Sequence, residues 1–221
     1  MLKIGVDIGG TFTDFAAWRD DGSQQVITLK VPSTPPAFAE GFKAGCEEIL
    51  KRMPPRADEQ VFVMHGTTVS TNTVIERNGP CIALLTTAGF KDILELQRLR
   101  LRKAIDLFGS RVEPLVARAL VFEIPERIGA DGRVRQELDL AAVESAARAA
   151  ARAGAEGIAI AFLHAYRNPQ HELAARRIVQ ASGLDNVSIS SEIWPKIGEY
   201  ERAIVAVLNT YVKPRMSAYI G

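Results

Sequence analysis

Apolar residues in the first part of the chain fall into short runs separated by polar turns. Residues 2–6, 15–18 and 25–29 are three such runs, joined through Gly9-Gly10 and through Asp20-Asp21-Gly22-Ser23. Their length and turn chemistry predict an antiparallel three-stranded meander, strand–turn–strand rather than strand–loop–helix. Phe38, Phe42, Cys46, Ile49, Leu50 and Met53 then recur at helical spacing and predict one buried face. Ser33-Thr34-Pro35-Pro36 supplies the start of that helix and Pro54-Pro55 its end. The continuous run Val61-Phe62-Val63-Met64 suits a central parallel strand. A helix over residues 69–77 and a buried strand over 81–85 follow.

The second half alternates strand and helix. Residues 120–139 read as a hairpin about Asp131-Gly132, and Asp139 caps a helix over 140–153. A strand over 157–163, a helix over 169–181 with Gly183 beyond it, and a strand near 187–190 come next. The last helix opens at Glu199-Tyr200-Glu201-Arg202, turns Ile204, Val205, Val207, Leu208 and Tyr211 inward, and breaks at Lys213-Pro214. Arg98, Arg100, Arg102 and Lys103 alternate with Leu99 and Leu101, as an exposed strand or an irregular segment with one basic face. The fold class is therefore α/β: a mixed sheet beginning with the meander, plus a smaller α/β subdomain. The expected division is residues 1–85, 86–195, and a closing helix at 196–221 that leads to a second lobe.

Twenty-seven basic and 26 acidic residues nearly cancel. This balance gives no electrostatic case for nucleic acid or an anionic membrane. No apolar run approaches the roughly 20 residues that span a bilayer, and the first strand starts without a signal peptide. Cys46 and Cys81 lack metal-ligand spacing and sit in apolar patterns, as expected of reduced core residues in a cytoplasmic protein.

Candidate chemistry concentrates in two stretches. In Asp7-Ile8-Gly9-Gly10-Thr11-Phe12-Thr13-Asp14, two glycines without Cβ let backbone N–H groups approach a phosphate. Thr11 and Thr13 add hydroxyl donors, and Asp7 and Asp14 offer hard oxygens to a divalent cation. The alternative is a simple tight turn flanked by solvated carboxylates. In His65-Gly66-Thr67-Thr68-Val69-Ser70-Thr71-Asn72-Thr73, hydroxyl residues crowd a strand's exit, where open α/β sheets bind ligands. One hydroxyl would serve for helix capping; five in seven positions exceed that need. Thr86-Thr87-Ala88-Gly89 is a third loop of the same kind, or a cap. His65 alone, with no carboxylate near in sequence, reads as a hydrogen-bonded structural residue.

The first stretch resembles the first phosphate motif of the actin-like ATPase superfamily. Together with His65-Gly66-Thr67-Thr68-Val69-Ser70-Thr71-Asn72, Glu199-Tyr200-Glu201-Arg202 and Asn209-Thr210-Tyr211-Val212-Lys213-Pro214, it makes the chain similar to the N-terminal part of the hydantoinase A/oxoprolinase family. The resemblance implies a ribonuclease H-like fold, ATP and Mg2+ as cofactors, and a C-terminal lobe or partner subunit completing the cleft. It also implies ATP-dependent opening of a cyclic amide such as a hydantoin or 5-oxoproline, by phosphorylation of the carbonyl oxygen. Asp7, with Asp14 as second carboxylate, would hold the metal. Gly9, Gly10, Thr11 and Thr13 would hold phosphate oxygens, and Thr67, Thr68 and Asn72 the opposite wall. Ketone carboxylation is the branch within the same resemblance. A sugar or acetate kinase fits the second stretch less well, and a non-catalytic nucleotide-binding module is the reading from a different class.

Overall fold

The computed structural model describes residues 1–34, 37–99 and 112–220. The chain divides into two compact units, residues 1–78 with those from Arg215 onward, and residues 79–214. The expected start Pro35-Pro36 and the basic positions Arg100, Arg102 and Lys103 lie outside the described residues.

In the first unit, β1 (Leu2–Ile8), β2 (Phe12–Arg19) and β3 (Val26–Pro32) form the antiparallel meander, and β4 (Val61–Thr67) runs parallel to β1. The strand order is β3-β2-β1-β4, a mixed sheet. Side chains alternate along β1: Leu2, Ile4, Val6 and Ile8 are buried, whereas Lys3, Gly5 and Asp7 stand on the opposite, open face. Helix α1 (Phe38–Arg52) covers the buried face, with Phe42, Cys46, Ile49 and Leu50 joining Phe15 in one core. A Cβ at Gly45 would overlap the Phe15 ring, so glycine there sets how closely α1 approaches the sheet. A short helix α2 (Val69–Ile75) follows β4 directly.

Strand β4 departs from its expectation as a central strand. Among the described residues it is an edge strand, and Val61, Phe62, Val63 and Met64 are each 41–50% exposed.

The second unit holds a four-stranded parallel sheet in the order β10-β9-β5-β6, made of β5 (Ile82–Thr87), β6 (Val121–Ile124), β9 (Gly157–Ala161) and β10 (Val187–Ile189). Because β5 pairs here with β9 and β6, the division falls at residue 78 rather than 85, and this unit is the larger of the two, not the smaller. A short helix α3 (Ile93–Leu96) follows β5, and β7 (Arg127–Ile128) with β8 (Val134–Gln136) forms a separate hairpin turning at Gly132. Gln97, Arg98 and Leu99 have left-handed backbone, so no strand forms there. Asp139 caps α4 (Leu140–Arg152) by accepting from the Ala142 N–H at 2.9 Å. Helices α4 and α5 (Gln170–Ala181) pack their apolar residues onto the sheet. Cys81, expected in the core, is exposed because it precedes β5.

A four-residue helix α6 (Ser190–Ile193) precedes α7, which runs from Glu199 to Ile220 and passes through Pro214 instead of stopping there. Proline costs one backbone hydrogen bond at that point. The turn beyond it is retained in the first unit, where the Tyr219 ring meets Phe38 at 5.9 Å. The most buried stripe of α7 is Ala203, Ala206, Val207, Thr210 and Tyr211, while Ile204, Val205 and Leu208 are half-buried.

Candidate functional site

The β1–β2 hairpin closes with the Gly9 N–H donating to the Phe12 carbonyl at 3.0 Å. A Cβ at Gly9 would stand 2.8 Å from that oxygen, so the turn requires glycine. Gly10 and Thr11 are exposed at the tip, and a Cβ at Gly10 would meet the Asn72 Nδ2 at 3.2 Å. The β4–α2 turn is tied to the end of β1: the Thr67 hydroxyl and the Thr68 N–H both donate to the Ile8 carbonyl, at 3.0 and 3.3 Å. Asn72 Nδ2 donates to Thr68 Oγ1 at 3.3 Å. The two stretches singled out by sequence, 58 residues apart at their starts (7 and 65), thus meet at one place. Gly10, Thr11 and Asn72 line a cavity of about 320 Å³.

Arg215 lines the same cavity, its guanidinium donating to the Asn78 carbonyl at 3.2 Å. Sequence reasoning passed over it, since one arginine after a proline forms no local pattern. Only the continuation of α7 brings it here.

Asp7 and Asp14 are direct cross-strand partners on the open face of the sheet. Both are exposed; Lys30 pairs with Asp14 at 3.2 Å, and among the described residues the Asp7 carboxylate has no partner. They line a concavity of about 670 Å³ together with Lys30 and Gly66, distinct from the cavity beside Gly10. No group of three or more metal-ligating side chains occurs among the described residues. Two neighbouring carboxylates nevertheless suit magnesium, which takes one or two protein oxygens and completes its shell with water and phosphate.

Other expectations are corrected. Thr13 is 1% exposed and pairs its hydroxyl with Ser33 Oγ at 3.0 Å, while Ser33 donates to the Gly9 carbonyl. It builds the hairpin and does not face a ligand. Thr67 uses its hydroxyl on Ile8 and on the Val69 N–H, so it holds the turn together. Thr73 is buried and bonds within its own helix. Thr86 and Thr87, the third proposed loop, are also buried; Thr87 donates to Glu126 and accepts from the Leu163 N–H. His65 is hydrogen-bonded, its Nδ1 lying 2.8 Å from the Tyr219 hydroxyl.

An α/β protein with this mixed sheet and glycine hairpin can now be placed. It belongs to the hydantoinase/oxoprolinase family: residues 3–183 match the pattern of that family's N-terminal region. Among its relatives, the caprolactamase alpha subunit of Pseudomonas jessenii is 36% identical over all of this chain and 32% of its own length. The acetophenone carboxylase gamma subunit of Aromatoleum aromaticum is 33% identical over 99% of this chain and 32% of its own. The nucleotide-free structure of acetone carboxylase, which performs ATP-dependent acetone carboxylation, superposes with a TM-score of 0.84 at 28% identity, over 96% of this chain and 32% of the other. The crystal structure of the ATP-dependent caprolactamase gives 0.83 at 33% identity, over 99% and 32%. The chain therefore spans about a third of the length of these relatives.

Proposed function

We propose that this chain is the phosphate-binding N-terminal part of an ATP-dependent enzyme that opens a cyclic amide, with an actin-like ATPase fold completed by a C-terminal lobe or partner subunit. The observation that carries the reading is the exposed Gly10-Thr11 tip standing beside Asn72, which bonds Thr68, while the Gly9 N–H is spent on closing the turn to Phe12. Backbone N–H groups at Gly10 and Thr11 serve phosphate oxygens at the tip, and Asn72 and Arg215 serve them from the far wall of the cavity.

Asp7 and Asp14 would hold magnesium, which supplies charge neutralisation on the transferring phosphoryl group when bound. Transfer of the ATP γ-phosphoryl to the amide oxygen releases ADP and makes the carbon electrophilic. Water adds there, and the ring C–N bond breaks with the nitrogen taking the proton. A second water hydrolyses the resulting acyl phosphate to carboxylate and phosphate. The family placement and the 36% identity to a caprolactamase subunit support this substrate class. A ketone carboxylase is the second reading, favoured by the likeness to acetone carboxylase and to the acetophenone carboxylase gamma subunit.

The test is ATP turnover by the full-length protein, with its partner where there is one, in the presence of ε-caprolactam, 5-oxoproline or a ketone, each with and without bicarbonate. Amide-stimulated turnover independent of bicarbonate is expected, and strict bicarbonate dependence with a ketone moves the assignment to the carboxylase branch. Asp7→Ala is expected to lower kcat on the order of 100-fold, the scale for losing an electrostatic stabiliser of the transition state. Gly10→Val is expected to weaken nucleotide binding, because its side chain presses on Asn72. Unchanged turnover in Asp7→Ala removes the metal role.

A further inference from the structure

We infer that the apolar cavity on the helix-covered face of the first sheet receives the ring of an uncharged lactam, with His65 and Tyr219 holding its amide group. The inference rests on the cyclic-amide reading above and narrows it to substrates without a carboxylate. The cavity measures about 410 Å³ and is lined by Ile8, Phe38, Ala39, Phe42, His65 and Tyr219. That is the size range of small-molecule sites, and the composition is theirs too: mostly apolar and aromatic walls with a few convergent polar groups. Phe38 meets Tyr219 edge-on at 5.9 Å and Phe42 meets His65 at 6.1 Å, so the walls are rings.

The polar groups converge at one end. His65 Nδ1 and the Tyr219 hydroxyl are 2.8 Å apart. Burial pushes the Tyr219 phenol above its ordinary value, so it stays a neutral donor at physiological pH. A lactam presents the matching surface: a methylene ring for the aromatic walls, one carbonyl acceptor for the phenol and one N–H for the imidazole. Among the described residues no lysine or arginine lines the cavity, so there a ring bearing a carboxylate would bury that charge unpaired, which is costly. Phe38 also lines the cavity that holds Gly10. The two cavities therefore share the Phe38 wall.

The experiment is calorimetric titration of the protein with ε-caprolactam and with 5-oxoproline, with a nonhydrolysable ATP analogue titrated in parallel. Saturable caprolactam binding is expected, with 5-oxoproline at least about tenfold weaker. Tyr219→Phe, which keeps the ring, is expected to weaken caprolactam binding about fivefold. Phe42→Trp fills the cavity and is expected to abolish binding. Melting temperature and ATP-analogue affinity should not move in Tyr219→Phe. Caprolactam-stimulated ATP turnover with unchanged binding in both variants overturns the location while sparing the cyclic-amide reading. Equal or tighter binding of 5-oxoproline overturns the neutral-ring preference. Absence of caprolactam binding together with absence of amide-stimulated turnover overturns both.

Discussion

Inside each unit, a buried or half-buried ionic cluster shows what a single side chain can hold in place. Arg202 is fully buried, donates to Ser190 Oγ at 2.5 Å and to the Phe162 carbonyl at 2.7 Å, and pairs with Glu199. Nearby Glu172, also fully buried, accepts from Ser190, from the Phe162 N–H and from the Ser191 N–H. Burial pushes the Glu172 carboxyl above its ordinary value, and the surrounding donors oppose that shift. Arg202→Met would leave Glu172 and Glu199 without their cation; urea unfolding is expected to report a loss of about 3–5 kcal/mol. In the first unit, Arg19 donates to both Glu59 oxygens at 3.1 and 3.2 Å and the Arg56 N–H donates at 3.0 Å. These bonds, Arg19's first, hold the Glu59 carboxyl down from 4.5 to about 2. A carboxyl depressed in the folded state stabilises fully above its unfolded value and loses that contribution as pH falls through the folded one. Melting temperature is therefore expected to drop between about pH 4.5 and 2, and Glu59→Gln should flatten that part of the profile. The Arg19–Glu59 pairing is not legible locally, since the two are 40 residues apart.

Helix α1 separates what periodicity reveals from what it hides. The spacing of Phe38, Phe42, Cys46, Ile49, Leu50 and Met53 identifies its buried face, and every one of these residues belongs to or packs on the first core. Gly41 and Gly45 are buried on the same helix, and nothing in the pattern marks them. Gly45→Ala raises helix propensity yet drives a methyl into the Phe15 ring; a net loss of about 1–3 kcal/mol in denaturant unfolding is expected. A gain would mean that Phe15 moves aside freely. In α7 the local rule loses outright. Proline forbids one hydrogen bond, and the packing of Tyr219 against Phe38 and His65 outweighs it.

For the molecule as a whole, the exposed apolar edge at β4 matters most. Phe62 and Met64 on the open face, with unpaired backbone along the outer side among the described residues, make a template for another strand. The chain spans 32% of the length of these relatives. Sedimentation of the 221-residue chain is expected to show concentration-dependent association, reduced by Phe62→Lys. Ideal monomeric behaviour at high concentration would contradict the exposure as a liability. Among the described residues no helix is long and apolar enough to cross a membrane.

The sequence by itself determined the meander, the α1 face, the Asp139 cap, the Gly132 turn and the glycine requirement at the first bend. Each depends on interactions within a few residues or on a period that a local pattern displays. Tertiary structure alone decided the rest: which sheet β5 joins, that β4 lies at an edge, that Thr13 spends its hydroxyl on the Ser33 side chain, and that Thr67 spends its own on the backbone around it. It also decided that Arg202 is interior and that Arg215 and Tyr219 return to the first unit's cavities. Those outcomes turn on partners tens of residues or more away, and hydroxyls that look alike in sequence differ only in whether the fold supplies a neighbour to satisfy them.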